Sequence, residues 1–377
     1  MYDVIVIGIG SMGASALYHL AKQGSKVLGI EQFDVVHKNG SHSGQSRIVR
    51  KAYFEHPDYV PLLEGAYKGW KSFEDETGEQ YYFPSGIAYF GERDHFVMDG
   101  IKESAQLYDI PLNHLSENDY SAFNLPKNNY ERLFEPNSGF ALTETTIKAY
   151  CKQALKHGAR LVTNEKVLGW SLSNGIAEVV TSQKTYKAKK IIITTGAYTK
   201  EVAPGLSREL KVTRQYLSWV KPKNDELFQL DNFPCWMISD KAYPGIYYGF
   251  PILPKDKFGG NGLMKVGHHL PGEEMELEEL HQFDATKEEN KLAAILEEFL
   301  PDALGEMVSS TVCMYNNTPD EHFIIDFLPN TNNQVVIASG FCGHGFKFVP
   351  VVGEILTDLI LEEKTNWPID FLKIDRF

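Results

Sequence analysis

A short apolar run, a glycine-rich turn and an amphipathic stretch open this 377-residue chain in that order, and few folds accommodate all three. Val4-Ile5-Val6-Ile7 is uniformly apolar, as a parallel strand buried on both faces requires. Gly8-Ile9-Gly10-Ser11-Met12-Gly13 then has the G-x-G-x-x-G spacing. Ala14, Leu17, Leu20 and Ala21 recur at helical intervals up to Gly24, a fitting C-terminal cap, and Val27-Leu28-Gly29-Ile30 supplies a second strand ending at Glu31. Gly8, Gly10 and Gly13 permit a tight turn and the close approach of a pyrophosphate, whose charge is stabilised at the helix N-terminus. Glu31 can accept hydrogen bonds from ribose hydroxyls. Strand, turn, helix, strand and acid together predict an adenine dinucleotide site, and both NAD and FAD use such sites.

Further along, residues 143–157 read as a capped amphipathic helix ending at Gly158. Short strands follow near Leu161, over 167–171 and over 176–180, the last two joined at Ser173-Asn174-Gly175, a hairpin signal. Residues 191–197 read as a buried strand reaching a glycine. Residues 335–338 read as a strand leading into a glycine loop and a helix with Val352, Ile355, Leu356, Leu359 and Ile360 on one face. Apolar strands near residues 5, 28, 192 and 336 thus predict a cofactor domain assembled from separated pieces: 1–80, 140–212 and 314–377. Between them, residues 81–91, 216–220 and 245–250 are aromatic-rich and strand-like, and 286–300 has helical spacing. These predict a second, largely antiparallel domain over 81–139 and 213–313. The expected class is α/β with an α+β second domain. Lys255-Asp256-Lys257 with Gly259-Gly260 reads as a solvated loop.

A formal net charge of -13 argues against nucleic acid or an anionic membrane as the main partner, since both need a basic footprint. The four cysteines, Cys151, Cys235, Cys313 and Cys342, are widely spaced and form no C-x-x-C pair, so neither a zinc ribbon nor a disulfide framework is expected. Histidines are scattered, and His268-His269 are adjacent rather than at the i, i+4 spacing of a helical zinc pair, so no metal site is expected. The N-terminal stretch reads as a strand rather than a signal peptide, and no apolar run approaches the roughly 18 residues needed to span a bilayer. A soluble, reduced, cytoplasmic setting is the expectation.

Several further blocks carry a resemblance that runs nearly end to end. They are Gly40-Ser41-His42-Ser43-Gly44-Gln45-Ser46-Arg47-Ile48-Val49-Arg50; Tyr248-Gly249-Phe250-Pro251; Lys265-Val266-Gly267-His268-His269; Cys313-Met314-Tyr315; and Gly340-Phe341-Cys342-Gly343-His344-Gly345-Phe346-Lys347-Phe348. With the N-terminal turn, the chain resembles the monomeric sarcosine oxidase and N-methyltryptophan oxidase family of flavoenzymes, within the D-amino-acid-oxidase-like superfamily. The resemblance implies a Rossmann-like FAD-binding domain, a monomer, and a small amino acid substrate with oxygen as second partner. It also implies FAD joined through its 8α-methyl group to the sulfur of Cys313, and oxidation of a secondary amine that bears a carboxylate.

The resemblance also assigns roles. Arg50 and Lys347 would hold the substrate carboxylate through charge-assisted hydrogen bonds. Arg47 would support the flavin, and Tyr248 and His269 would line its substrate side. Lys265 would be a preorganised cation stabilising charge as oxygen accepts an electron. Ser41 would contact the cofactor, and Gly340, Gly343 and Gly345 would present backbone N–H groups to the negative charge of the reduced ring. Cys342 is expected to pack and His344 to be structural. Ser43 and Gln45 depart from the family pattern, which has a histidine and an acid there, and the segment 252–258 is longer than is typical. Rival expectations are a fructosyl amino acid or cyclic imino acid (pipecolate-type) oxidase on the same scaffold, and an NAD-dependent dehydrogenase.

Overall fold

The computed structural model describes residues 1–270 and 272–377. Strand Tyr2–Ile7 sits between two parallel neighbours, Val27–Ile30 and the C-terminal half of Thr185–Ile193, and its last four residues are all buried. Burial on both faces explains the unbroken apolar run. Val335–Ser339 extends the parallel core beyond Thr185–Ile193, and Arg160–Val162 extends it beyond Val27–Ile30. The strands Val167–Ser173 and Ile176–Thr181 continue it as an antiparallel hairpin, turning at Asn174 and Gly175, both with positive φ. Helix Ser11–Lys22 packs against Thr143–Lys156 on one side and Val349–Glu362 on the other. Sequence regions near residues 5, 28, 192 and 336 therefore share one sheet, as the apolar pattern predicts.

A second sheet takes its strands from the intervening regions. Ile87–Glu92 and Tyr130–Glu135 join Lys211–Lys221, Cys235–Asp240, Tyr243–Gly249, Met264–His269 and Glu306–Asn317 in a largely antiparallel array. Helix Ala285–Phe299 buries Leu292, Ile295, Leu296 and Phe299 in the core of this sheet. The expected divisions at 212/213 and 313/314 fall inside the strands Lys211–Lys221 and Glu306–Asn317, which pair along eleven registered positions. A third, small sheet pairs Ser46–Val49 and Tyr82–Phe83 with Gly139–Leu142.

Two local readings change. The strand expected over 191–197 runs instead from Thr185 to Ile193, and Gly196–Tyr198 forms a 3-10 turn that leaves the sheet. The stretch read as a solvated loop contains a helical turn, Lys255–Phe258. Phe258 is the cause. Its ring is buried 4.8 Å from Phe83 and 5.7 Å from Phe140, so the segment is held by its apolar residue while Lys255 and Lys257 face solvent.

Candidate active site

The N-terminal turn forms the floor of a cavity of about 160 Å³. Its walls include Gly8, Gly10, Glu31, Ser41, Arg47, Gly340, Gly343 and Gly345 among the residues expected to meet the cofactor. Gly13 lies just behind, where an added Cβ would overlap the Gly8 carbonyl oxygen and the Thr194 hydroxyl. Helix and strand can approach this closely only without a side chain. Helix Ser11–Lys22 has no acid in its first turn and no side-chain cap, so its N-terminus is free for an anion. Glu31 is buried and accepts from the backbone N–H groups of Ile9 (2.8 Å) and Phe33 (3.0 Å). Burial raises its pKa, and these N–H groups oppose the rise. The ring nitrogens His37 Nδ1 and His42 Nε2 are buried without a partner in the same cavity. An open helix end, an acid at the strand end and unpartnered polar atoms fit an adenine dinucleotide.

A smaller cavity of about 60 Å³ shares Arg47, Tyr315, Gly343 and Phe346 with the first. Around it stand Arg50, Lys347, Tyr248 and His269, brought from four distant stretches of chain. Arg50 is 3% exposed, with Tyr53 and Phe54 rings 4.5 and 4.6 Å from its guanidinium carbon. It donates to the Ala52 carbonyl at 2.9 Å and pairs with Glu55 at 2.6 Å. The other Glu55 oxygen is buried without a partner. Burial alone would raise the Glu55 pKa, but Arg50, His344 and Lys347 outweigh it and hold the carboxyl at about 2. Lys347 is buried rather than exposed and donates to the His344 carbonyl at 2.7 Å. Burial, assisted by Arg50 and opposed by Glu55, lowers its pKa to about 7. Below about pH 7 the wall therefore holds two cations and one anion, a balance that favours an incoming carboxylate.

His269 Nδ1 lies 3.1 Å from the Tyr315 hydroxyl, and burial lowers the histidine pKa to about 4. His344 contacts the Tyr53 hydroxyl and the Glu321 carbonyl, with burial lowering its pKa to about 3. Both rings are neutral near pH 7. Tyr248 completes the wall, its hydroxyl pKa pushed up by burial.

At the junction of the cavities the turn 41–46 holds two cations with carbonyl oxygens. Arg47 donates to Ser41, Ser43 and Ser46 at 2.7–2.8 Å. Lys265 donates to Gly44 and Ser46, both at 2.6 Å, and lies over the Phe250 ring. Among the described residues neither has a salt-bridge partner. Lys265 lies behind the turn rather than on either cavity wall. Burial, then the charge of Arg47, pushes its pKa well below the usual lysine value.

Cys313 is buried against Leu217 and Tyr315, and the next three residues line the larger cavity. Burial raises its thiol pKa, while Arg47 and Lys265 pull it down. Cys342 packs between Thr318 and Gly340. Glu55 and Tyr315 carried no role in the sequence reading. Glu55 had one local signal, an acid five residues after Arg50, whereas the position of Tyr315 depends on Glu306–Asn317 crossing to the cofactor side. Among the described residues there is no cluster fit to hold a metal ion, and no helix is long and apolar enough to cross a membrane.

The profile of the FAD dependent oxidoreductase family, DAO, matches residues 3–359. The chain is 38% identical to monomeric sarcosine oxidase of Bacillus sp. (strain B-0618), covering 100% of this chain and 96% of that protein. It is 33% identical to N-methyl-L-tryptophan oxidase of Yersinia pestis (strain Pestoides F), covering 98% and 97%. In fold it is similar to the amino acid oxidase NikD, with a TM-score of 0.86 at 22% identity over 99% and 97% of the chains. It is also similar to fructosamine oxidase (Amadoriase II) of Aspergillus fumigatus, with a TM-score of 0.76 at 19% identity over 99% and 89%. FAD is thus the dinucleotide, as expected, and this chain belongs to the FAD-dependent oxidoreductase family.

Proposed function

We propose that the protein is an oxidase of N-methyl amino acids, sarcosine and N-methyltryptophan being the class, with FAD held covalently by Cys313. The amine, dioxygen and water give the primary amino acid, formaldehyde and hydrogen peroxide. One observation carries this reading: a long cavity suited to a dinucleotide meets a small one that offers Arg50 and Lys347 to a carboxylate. FAD, when bound, supplies the acceptor that takes a hydride equivalent from the methyl carbon and hands two electrons to oxygen. The regions 1–80, 140–212 and 314–377 serve mainly the cofactor and 81–139 with 213–313 mainly the substrate, while Arg50, Cys313 and Lys347 act across that division.

In this reading Gly8, Gly10, Gly13 and Glu31 bind the adenine half of the cofactor, and Ser41, Gly340, Gly343 and Gly345 serve its remainder. Arg50 and Lys347 fix the carboxylate. Neutral His269, oriented by Tyr315, and Tyr248 present polar atoms toward the amine without adding charge, which suits binding of an unprotonated secondary amine. Tyr53, Phe54 and Phe346 exclude water from the ion pair, strengthening it. Arg47 and Lys265 supply positive charge beside the cofactor. The protein acts as a monomer in this reading, which the similarity to monomeric sarcosine oxidase supports.

A peroxide-coupled assay across sarcosine, N-methyltryptophan, pipecolate and fructosyl amino acids tests the substrate class. Turnover of N-methyl amino acids is expected to dominate, and exclusive turnover of a fructosyl or cyclic substrate overturns the assignment. The cofactor link has its own test. Thioether formation is a two-electron oxidation with dioxygen as acceptor; burial raises the Cys313 thiol pKa, and Arg47 and Lys265 offset part of that rise. Acid-precipitated protein should stay yellow, and Cys313→Ser should release its colour to the supernatant. Release from the unmodified protein rejects the link.

A further inference from the structure

The Gly44-Gln45-Ser46 turn is gripped from outside the site. Gln45 has φ 67°, a left-handed conformation that a non-glycine residue rarely adopts. Its backbone carbonyl accepts from Thr143 at the start of helix Thr143–Lys156. Its side-chain Nε2 donates to the Gly259 carbonyl at 3.3 Å, across 214 residues of chain. Gly260 rests against the same amide, where an added Cβ would lie 2.5 Å from Gln45 Nε2. Gly259, Gly260 and Gly262 all have positive φ, so this loop is shaped by residues that tolerate such backbone. Phe258 anchors its near end.

The residues on either side of Gln45, Gly44 and Ser46, are those whose carbonyls hold Lys265. We propose that Gln45 is a positioning residue: it couples the glycine loop 259–262 to the carbonyl cradle of Lys265, so that the loop's docking sets how fast the reduced enzyme reacts with oxygen. The inference rests on Lys265 being the oxygen-side cation. A displacement of about 1 Å in a preorganised group costs up to about 100-fold in rate, so a partial slackening is expected to cost about 10-fold. Other groups acting on Lys265 are Arg47, Cys313, Cys235 and Glu144, and none of them is substituted in the proposed variants.

The test compares Gln45→Ala, Gly260→Ala and Lys265→Met with the parent holoenzyme. Gly260→Ala leaves residue 45 unchanged but pushes the loop off it, so it also guards against a folding failure of the first variant. Both loop variants should reoxidise about 10-fold more slowly, with anaerobic reduction by substrate within about 2-fold of the parent. Losing carbonyl support for the ammonium should move the fall in oxygen reactivity with rising pH to lower pH. Independently of turnover, trypsin should cut after Lys257 faster in both variants, because the helical turn Lys255–Phe258 loses its neighbour. Parental reoxidation and parental cleavage in either loop variant, with Lys265→Met slow, overturn the coupling. Parental reoxidation in Lys265→Met instead overturns the oxygen-side reading on which it stands.

Discussion

Lys265→Met is expected to slow the reaction of the reduced enzyme with dioxygen by about 100- to 1000-fold, the cost of removing one preorganised group that stabilises developing negative charge. Methionine fills similar space but carries no charge, so packing against Phe250 persists while the cation is lost. Anaerobic reduction by substrate should change far less, because Lys265 lies off the wall of the small cavity that holds Arg50 and Lys347. The sign of the pH dependence follows from burial. The folded pKa is depressed, so the ammonium is present at lower pH and is lost as pH rises through that value. Oxygen reactivity of the unmodified enzyme should therefore fall with rising pH, and the Met variant should lack that fall. Stopped-flow mixing of reduced enzyme with oxygen, beside anaerobic mixing of oxidised enzyme with substrate, separates the two half-reactions. A variant slowed mainly in reduction rejects the role.

How far the sequence discloses such groups depends on how local their cause is. The dinucleotide turn is legible because strand, glycines, helix and Glu31 lie within 31 residues, and each follows a rule of short range. The hairpin at Asn174 and Gly175 is legible for the same reason. The parallel core required only the recurrence of buried apolar strands, whose partners at Val335–Ser339 lie far along the chain but match in pattern. The pairing of Ser46–Val49 with Gly139–Leu142 has no such signature, since these strands are four residues each and mixed in character. Yet this pairing sets the turn that holds Arg47 and Lys265. Phe258 shows the converse error: three charged residues suggest solvent, and one phenyl ring decides the outcome. Resemblance reached residues such as Lys347, for which local composition alone suggests exposure.

Glu55 alters what the carboxylate clamp predicts. Arg50→Met should lower kcat/KM for an N-methyl amino acid by about 100- to 1000-fold, since it removes a charged hydrogen-bond donor and strands a buried carboxylate facing the incoming one. Glu55 would then lose the partner that keeps its pKa near 2 and would take up a proton at higher pH. Lys347→Met should cost less, because burial already brings the Lys347 pKa to about 7 and part of its charge is absent at neutral pH. The two variants differ in their pH profiles. A substrate carboxylate binds the protonated form of Lys347, so the dissociation constant of a non-reactive carboxylate should rise by about tenfold per pH unit above 7. His269 and His344, with pKa values lowered to about 4 and 3, contribute nothing in that range. Arg50→Met should weaken binding while keeping this slope, and Lys347→Met should abolish it. Titrating such an analogue into each holoenzyme from pH 6 to 9, read by the flavin absorbance shift, measures both. A slope that survives in Lys347→Met assigns the titration elsewhere and removes Lys347 from the clamp.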